Sequence, residues 1–360
     1  MAIGVGVLSC TRVGYLSQAA RGQLELLDGS QPVATLVADP RAPNRLRQLL
    51  TRVSDVKAFG HTWGLQVSAN FVRYKQLDRD AVVWVVTACE PLSFVARRWW
   101  FPLVGSVTTL GWFDRDAAVA FAQRLEEAGC DVLVRGAGAY ATLGWFTDPV
   151  LSTMLTRTPS YVGDFVNVIL HESVHATVYV PGQSYFNESL ASFVSDYLTP
   201  IYLAQNFTKM SPTYRRYVAA HTRRQERQAL YLQAAQVLEH LYASDASDGD
   251  KLNEKQAVLQ ALQAKLDLQQ APNNATLMHV RLYEAGRFHL AHLFEQIDRH
   301  WPTFLAMLQN ITAEDFDEEL TRDFRPAVHR ALRRVRSSDS APPAKEHELT
   351  PSQGPSMSAP

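Results

Sequence analysis

His171, Glu172 and His175 form the pattern H-E-x-x-H, two imidazoles four residues apart with a carboxylate beside the first. On a helix, residues four apart share a face one turn apart, so both rings can take corners of a tetrahedral zinc site at about 2.0–2.1 Å. Glu172 leaves the helix in another direction. From there it reaches a water on the metal's open side and can serve as general base. With 11 histidines in the chain, a chance occurrence of the pattern has odds on the order of one in a hundred. The surroundings sharpen the reading. Val166, Val168, Ile169 and Leu170 precede the motif, and Glu172 is the single acidic or basic side chain, histidine aside, between Phe165 and Asn187. Buried charge without a partner costs several kcal/mol, and a metal ion supplies that partner. The competing reading is two satisfied core histidines with a surface glutamate.

A catalytic zinc site takes three protein ligands and keeps one position open. The helix carrying the motif should end near Tyr179, with a turn at Pro181-Gly182. A second helix, expected over Glu188 to Leu203, has Leu190, Phe193, Val194, Tyr197 and Leu198 as its apolar stripe. Glu188, Ala191, Ser192 and Ser195 form an adjacent stripe of mostly small residues, which lets two helices approach closely. Glu188 is therefore the expected third ligand, giving the His/His/Glu set of the glutamate zincins and one zinc ion. Asp196 and Asp164 are rivals for that position, and a plain first-turn carboxylate favouring the helix dipole is the bland alternative for Glu188. Asn187 or Asp164 could instead orient a histidine or the Glu188 carboxylate. No third histidine follows closely, the next after His175 being His221. The chemistry expected is hydrolysis of a peptide by an activated water. Such a site also uses a Tyr, His or Arg to stabilise the oxyanion. Tyr283, His279 and Arg281 share one later helical segment, and Tyr140 and Tyr185 are nearer in sequence. Asp148 and Glu90 are the candidates to hold a substrate ammonium.

The elements that must position these groups follow from periodicity. Gln18 to Leu27 and Asn44 to Phe59 read as helices. Ala81 to Ala88 is a buried strand, Asp114 to Ala128 a helix capped by Asp114 and Gly129, and Asp131 to Val134 a strand. From residue 151 helix dominates: Tyr161 to Val180, Glu188 to Leu203, Pro212 to Tyr242 and Lys251 to Gln269. The polar run 244–250 should turn the last two into an antiparallel hairpin. The fold class is α+β and mainly helical, with a glutamate-zincin-like core. Residues 11–150 form a small N-terminal α+β subdomain and 151–335 the helical zinc-binding region. Residues 336–360, rich in Ser and Pro, form a disordered tail. The cleft should lie between the 61–150 region and the later helices. Tyr140, Leu143 and Gly144, in the segment 140–146, are candidates to line it beside extended substrate.

Charge is nearly balanced, 35 Lys+Arg against 36 Asp+Glu, so no global footprint favours nucleic acid. The arginines at 215, 216, 223, 224 and 227 read as the solvated face of a long helix. Three cysteines with no C-x-x-C spacing exclude a cysteine-type zinc site. No run of 18 apolar residues exists to span a membrane. The apolar stretch 1–9 ends at Cys10 in Val7-Leu8-Ser9-Cys10, which looks like a bacterial lipoprotein cleavage box without its basic n-region; a short first strand is the alternative for residues 1–10. A glycan at the Asn187 sequon would crowd the proposed ligand, which argues against a glycosylating secretory route.

Beyond the motif, the chain resembles a bacterial family of zinc aminopeptidases, many of them lipoproteins by sequence. The likeness spans about residues 10 to 330. It rests on ordered blocks: Gly14-Tyr15 through Gln23, Arg79-Asp80 with Val82-Val83-Trp84, Trp100-Phe101-Pro102, Ala139-Tyr140 with Thr142 to Phe146 and Asp148-Pro149, the zinc motif, Phe186-Asn187-Glu188-Ser189, and Asn273-Asn274-Ala275. The resemblance implies zinc held by His171, His175 and Glu188, with Glu172 as base. It implies lipidation at Cys10, hence membrane anchoring and a location in the bacterial cell envelope or periplasm, with the cytoplasm as alternative. The sequence departs from the family at Trp100 and Ser106, near positions where cysteines are common, at Thr108-Thr109-Leu110 and at Ala141. These changes bear on the cleft and leave the metal motif intact. The alternatives to an aminopeptidase are an endopeptidase with a specific protein target and a non-catalytic envelope binding protein that keeps the fold.

Overall fold

A computed structural model describes residues 4–101, 105–139 and 147–339; the side chains of 4–13, 282–285, 338 and 339 lie outside that description. In chain order the elements are α1 (Gly4–Leu27), β1 (Gln31–Pro32), α2 (Val33–Ala38), α3 (Asn44–Thr62), β2 (Arg73–Lys75), β3 (Val83–Cys89), β4 (Trp99–Phe101), β5 (Gly105–Val107), β6 (Thr109–Trp112), α4 (Arg115–Glu127), β7 (Asp131–Ala137) and β8 (Val150–Leu151). Then follow α5 (Tyr161–Thr177), α6 (Ser184–Phe207), α7 (Pro212–Ala243), α8 (Asp248–Leu266), α9 (Asn274–Gln296), α10 (Trp301–Gln309) and α11 (Arg325–Asp339). The class is α+β and mainly helical.

The apolar run around Val83 forms the central strand of an antiparallel sheet ordered β6-β3-β7. Its register explains why the run does not alternate. Val86 pairs with Leu110 and Val134, and Ala88 with Val132, so even-numbered residues share one face. That face packs under Ala118, Phe121, Ala122 and Leu125 of α4. The odd-numbered face turns toward the helices, with Val83 buried in the main core and Val85 half-buried. Asp114 caps α4, accepting a bond from Ala117 N at 2.7 Å.

The helical body is built on α5, which packs against α6, α3 and α7, while α6 also packs against α9. Phe165, Ile169 and Leu170 of α5 are fully buried, each worth roughly 1.5–3 kcal/mol of burial. α9 runs alongside α6 in the same direction: Phe193 and Tyr197 meet Phe294. The close approach sits at Gly286, where a Cβ would come within 2.4 Å of Ser189 Oγ. The expected hairpin of α7 and α8 is antiparallel, since Lys251 reaches back to Tyr242 O and Arg227 to Leu266 O.

Several boundaries differ from expectation. From Gly4 the chain is helical, which corrects the short strand offered for residues 1–10. α6 begins at Ser184 rather than Glu188, because Tyr185 and Phe186 are buried and extend its apolar face by a turn. Glu188 is thus not a first-turn carboxylate. Residues 336–339 continue α11, which corrects the expected tail start; 340–360 lie outside the described residues. One core cluster joins Leu49, Val53 and Val150 to Phe165, Leu198 and Phe304, and β2 pairs with β8. The boundary expected at 150/151 therefore runs through a shared core. Among the described residues, no helix is long and apolar enough to cross a membrane.

Candidate metal centre

α5 presents His171 and His175 from successive turns of one buried face, with ring centroids 4.9 Å apart and nearly perpendicular. The turn after α5 decides what meets them. Val178 leaves the helix, Gly182 takes φ +74°, and α6 returns at once. Asn187 holds that turn: its Oδ1 accepts from Val180 N at 2.9 Å and its Nδ2 donates to Val180 O at 2.8 Å. The clamp places the next residue, Glu188, over the histidines. Its Oε2 lies 3.5 Å from His171 Nε2 and its Oε1 3.6 Å from His175 Nε2.

A metal fits these atoms. Ligands at about 2.0–2.1 Å in a tetrahedron stand about 3.4 Å from one another, and each imidazole lies close to that distance from one of the two Glu188 oxygens. All three ligand atoms lie within 4.8 Å of each other. The donor set, two imidazoles and a carboxylate, suits zinc. Glu172, next to His171, has a buried Oε2 with no hydrogen-bond partner.

The electrostatics express the same crowding. Burial pushes Glu172 up to about 7, with Glu188 and Asp148 adding and His171 opposing. Burial also pushes His175 down to about 4, so its ring is neutral and able to ligate. On Glu188 the burial penalty is outweighed chiefly by the hydrogen bond from His171 and the proximity of the two imidazoles, which hold the carboxyl at about 2. His171, despite burial, is held above its ordinary 6.5 by Glu188 and Glu172.

The centre opens into a cleft of about 450 Å³. One wall is α5 with Asn167, Val168 and Glu172; the other is the odd-numbered face of β6-β3-β7, with Gly111, Val85 and Arg135, continuing to Gly138 and Ala139.

The remaining sequence-derived candidates fall in different places. Asp196 is outside the ligand group: it accepts from Arg287 Nη1 at 2.9 Å and Asn167 Nδ2 at 3.2 Å. Asp164 faces the start of α5, accepting from Thr158 at 2.6 Å and Ser160 at 2.8 Å, so it does not orient a ligand. Asn187 acts on the backbone of the turn and touches no ligand side chain. His279 comes near the centre, half-buried and pushed down to about 3 by desolvation and by the charge of Arg135, with Glu188 opposing. Arg281 points elsewhere, to Glu239 and over the Phe94 ring. Tyr185 lies with Arg322 away from the cleft. Asp148, 2% exposed, acts on Glu172 through its charge, whereas Glu90 is exposed and off the cleft. Tyr140, Leu143 and Gly144 lie outside the described residues, as do the side chains of Tyr283 and Cys10; the backbone of Tyr283 is in α9 and that of Cys10 in α1. Arg135 and Asn167 went unnoticed in the sequence. The one signal for Arg135 was a charge directly after the apolar run Val132-Leu133-Val134.

A family described as "Putative aminopeptidase" matches residues 14–322. No curated protein and no solved structure matches the chain.

Proposed function

Because the chain belongs to the "Putative aminopeptidase" family, we propose that it is a zinc-dependent peptidase, with His171, His175 and Glu188 holding one ion and Glu172 as general base. The observation that carries the reading is the convergence of His171, His175 and Glu188, with ligand atoms within 4.8 Å of one another, beside a buried carboxylate on an open cleft. Zinc, when bound, supplies a Lewis acid and lowers the pKa of a water towards ~7. Glu172 takes the proton of the attacking water and returns it to the leaving amine. A carboxyl raised towards neutrality suits both transfers. β7 and the residues after it offer an extended wall along which a peptide backbone can lie. Amino-terminal trimming is the activity that the family's description names and the one proposed here. The resemblance adds an envelope location through a lipidated Cys10, which labelling of the expressed protein with a fatty acid would test.

The test of the central claim is cleavage of matched free-amine and N-blocked peptides by protein of known zinc content, with Glu172→Gln alongside. Turnover restricted to free-amine peptides and lost by at least about a thousandfold in the variant, at unchanged zinc content, is expected. Turnover that survives in Glu172→Gln would remove this residue from the mechanism. Turnover of blocked peptides would replace the aminopeptidase by an endopeptidase.

A further inference from the structure

Asn167 stands four residues before His171 on α5, so it shares the helix face that carries the two histidines, one turn away. It lines the same cleft, and the peptidase reading leaves it without a role. Its amide is held from behind. Nδ2 lies 3.2 Å from Asp196 Oδ1 and 3.4 Å from Thr199 Oγ1, both on α6, and 3.2 Å from the Tyr217 hydroxyl on α7.

Those partners decide which way round the amide lies. A carboxylate only accepts, so the group that meets Asp196 is the NH2 and not the carbonyl. Thr199 Oγ1 donates its own hydrogen to Ser195 O at 2.7 Å, so toward Asn167 it too accepts. Asp196 is fixed in turn by Arg287 Nη1 at 2.9 Å. With Nδ2 turned to α6 and α7, Oδ1 is the polar side-chain atom that Asn167 has left for the cleft, and it has no hydrogen-bond partner among the described residues. The carboxylate behind the amide polarises it and strengthens the bond that Oδ1 can accept. An acceptor so placed selects its donor by distance and by charge. The carbonyl under attack lies at Glu172 and the proposed ion, and an α-ammonium is two bonds from that carbonyl carbon, about 2.5 Å. It therefore falls within reach of a group one turn from His171, whereas the side-chain ammonium of a lysine is four carbons further out. The α-ammonium also brings three donors and a full charge, which makes the bond to an amide oxygen charge-assisted.

Resting on the peptidase reading above, we propose that Asn167 Oδ1 binds the free α-ammonium of the substrate and is a specificity-determining residue for amino-terminal cleavage. Asp196 is the positioning residue behind it: it orients the amide and does not touch the substrate.

The test compares trialanine with propionyl-Ala-Ala, which lacks only the ammonium. Both are titrated by calorimetry into full-length, zinc-loaded Glu172→Gln, a readout that needs no turnover. Trialanine should bind about tenfold or more tightly. Adding Asn167→Leu, similar in volume but without an acceptor, should cancel that preference at unchanged zinc content. Adding Asp196→Asn, which leaves Asn167 in place and removes the charge behind it, should cancel part of it. In the enzyme with Glu172 intact, Asn167→Leu should raise KM for trialanine by about tenfold and change kcat less. A preference for trialanine that survives Asn167→Leu would overturn the proposal. So would an equal weakening of both peptides, which would assign Oδ1 to a backbone N–H of the substrate. If Asn167→Leu loses zinc or fails to fold, Asp196→Asn decides, and an undiminished preference there overturns the proposal. Equal binding of the two peptides, or no binding of either, by Glu172→Gln alone would overturn it without recourse to a second variant. Absence of turnover with any peptide by the unmutated protein would count against the peptidase reading itself, and the calorimetric comparison would still decide the role of Asn167.

Discussion

Glu188 is the residue on which the proposed metal centre turns, because the two histidines come as a unit from one helix while the proposed third ligand arrives from another. Its carboxylate sits within 3.6 Å of both imidazoles, and their proximity holds its carboxyl at about 2, which keeps it charged. Glutamine at this position preserves volume and removes the charge. We expect Glu188→Gln to weaken zinc binding by about a hundredfold or more, on the reasoning that losing even an outer partner costs 10–100-fold. Competition with a chromophoric chelator measures it. Unaltered affinity would show that Glu188 is not a ligand and reopen the place for a group from outside the described residues. Loss of binding should not be accompanied by unfolding, since α5 and α6 are joined by their own packing.

Elements hold the centre by anchoring each other at their ends, and the last helix shows how. The body of the molecule meets α11 at Asp315, a 3% exposed carboxylate. Arg334 Nη1 and Nη2 donate to its two oxygens at 2.6 and 2.7 Å, and Thr312 N donates to Oδ2 at 2.9 Å. The bonds from Arg334 hold the Asp315 carboxyl below its ordinary 3.8. A carboxyl lowered by folding contributes stability above its unfolded value and loses it as pH falls through the folded one. Asp315→Asn should therefore cost about 1–2 kcal/mol near neutral pH, the lower range reflecting a half-exposed arginine. The gap between the two proteins should close below pH 3.8. Denaturant titrations at pH 7 and pH 3 test both parts; a gap independent of pH would mean that the charge of Asp315 contributes nothing.

At the scale of the whole molecule, the centre is built where two parts of the chain share a core. β2 joins β8 across the middle of the sequence, α3 packs on α5, and Leu49, Leu50, Phe165, Ile169 and Leu198 belong to one cluster. Such coupling predicts a single cooperative unfolding transition in calorimetry for the zinc-loaded protein, with a midpoint that rises with free zinc by linkage. Two well-separated transitions, one insensitive to zinc, would show that residues 11–150 fold independently of the helical region.

The sequence by itself determined the local part of this arrangement. H-E-x-x-H needs nothing but a helix to bring His171 and His175 together, and the apolar residues before it make that helix buried. The caps of α4, the run that became β3 and the polar break between α7 and α8 were readable for the same reason: each depends on neighbours within a few residues. The small stripe of α6 and the position of Glu188 just after a Pro-Gly turn were enough to nominate a third ligand. What tertiary structure alone decided concerns groups far apart in sequence. Asp196, the rival two turns further along the same helix, is paired instead with Arg287, some ninety residues away along the chain. Asn187 proved to act on the turn backbone, a bond that no residue pattern announces. Arg135 faces the cleft because of the register between β3 and β7, where a slip of one residue would have sent it to the α4 side. Periodicity reports which face of an element is apolar. It does not report which distant element covers that face, and at this centre that choice sets the charge a substrate meets.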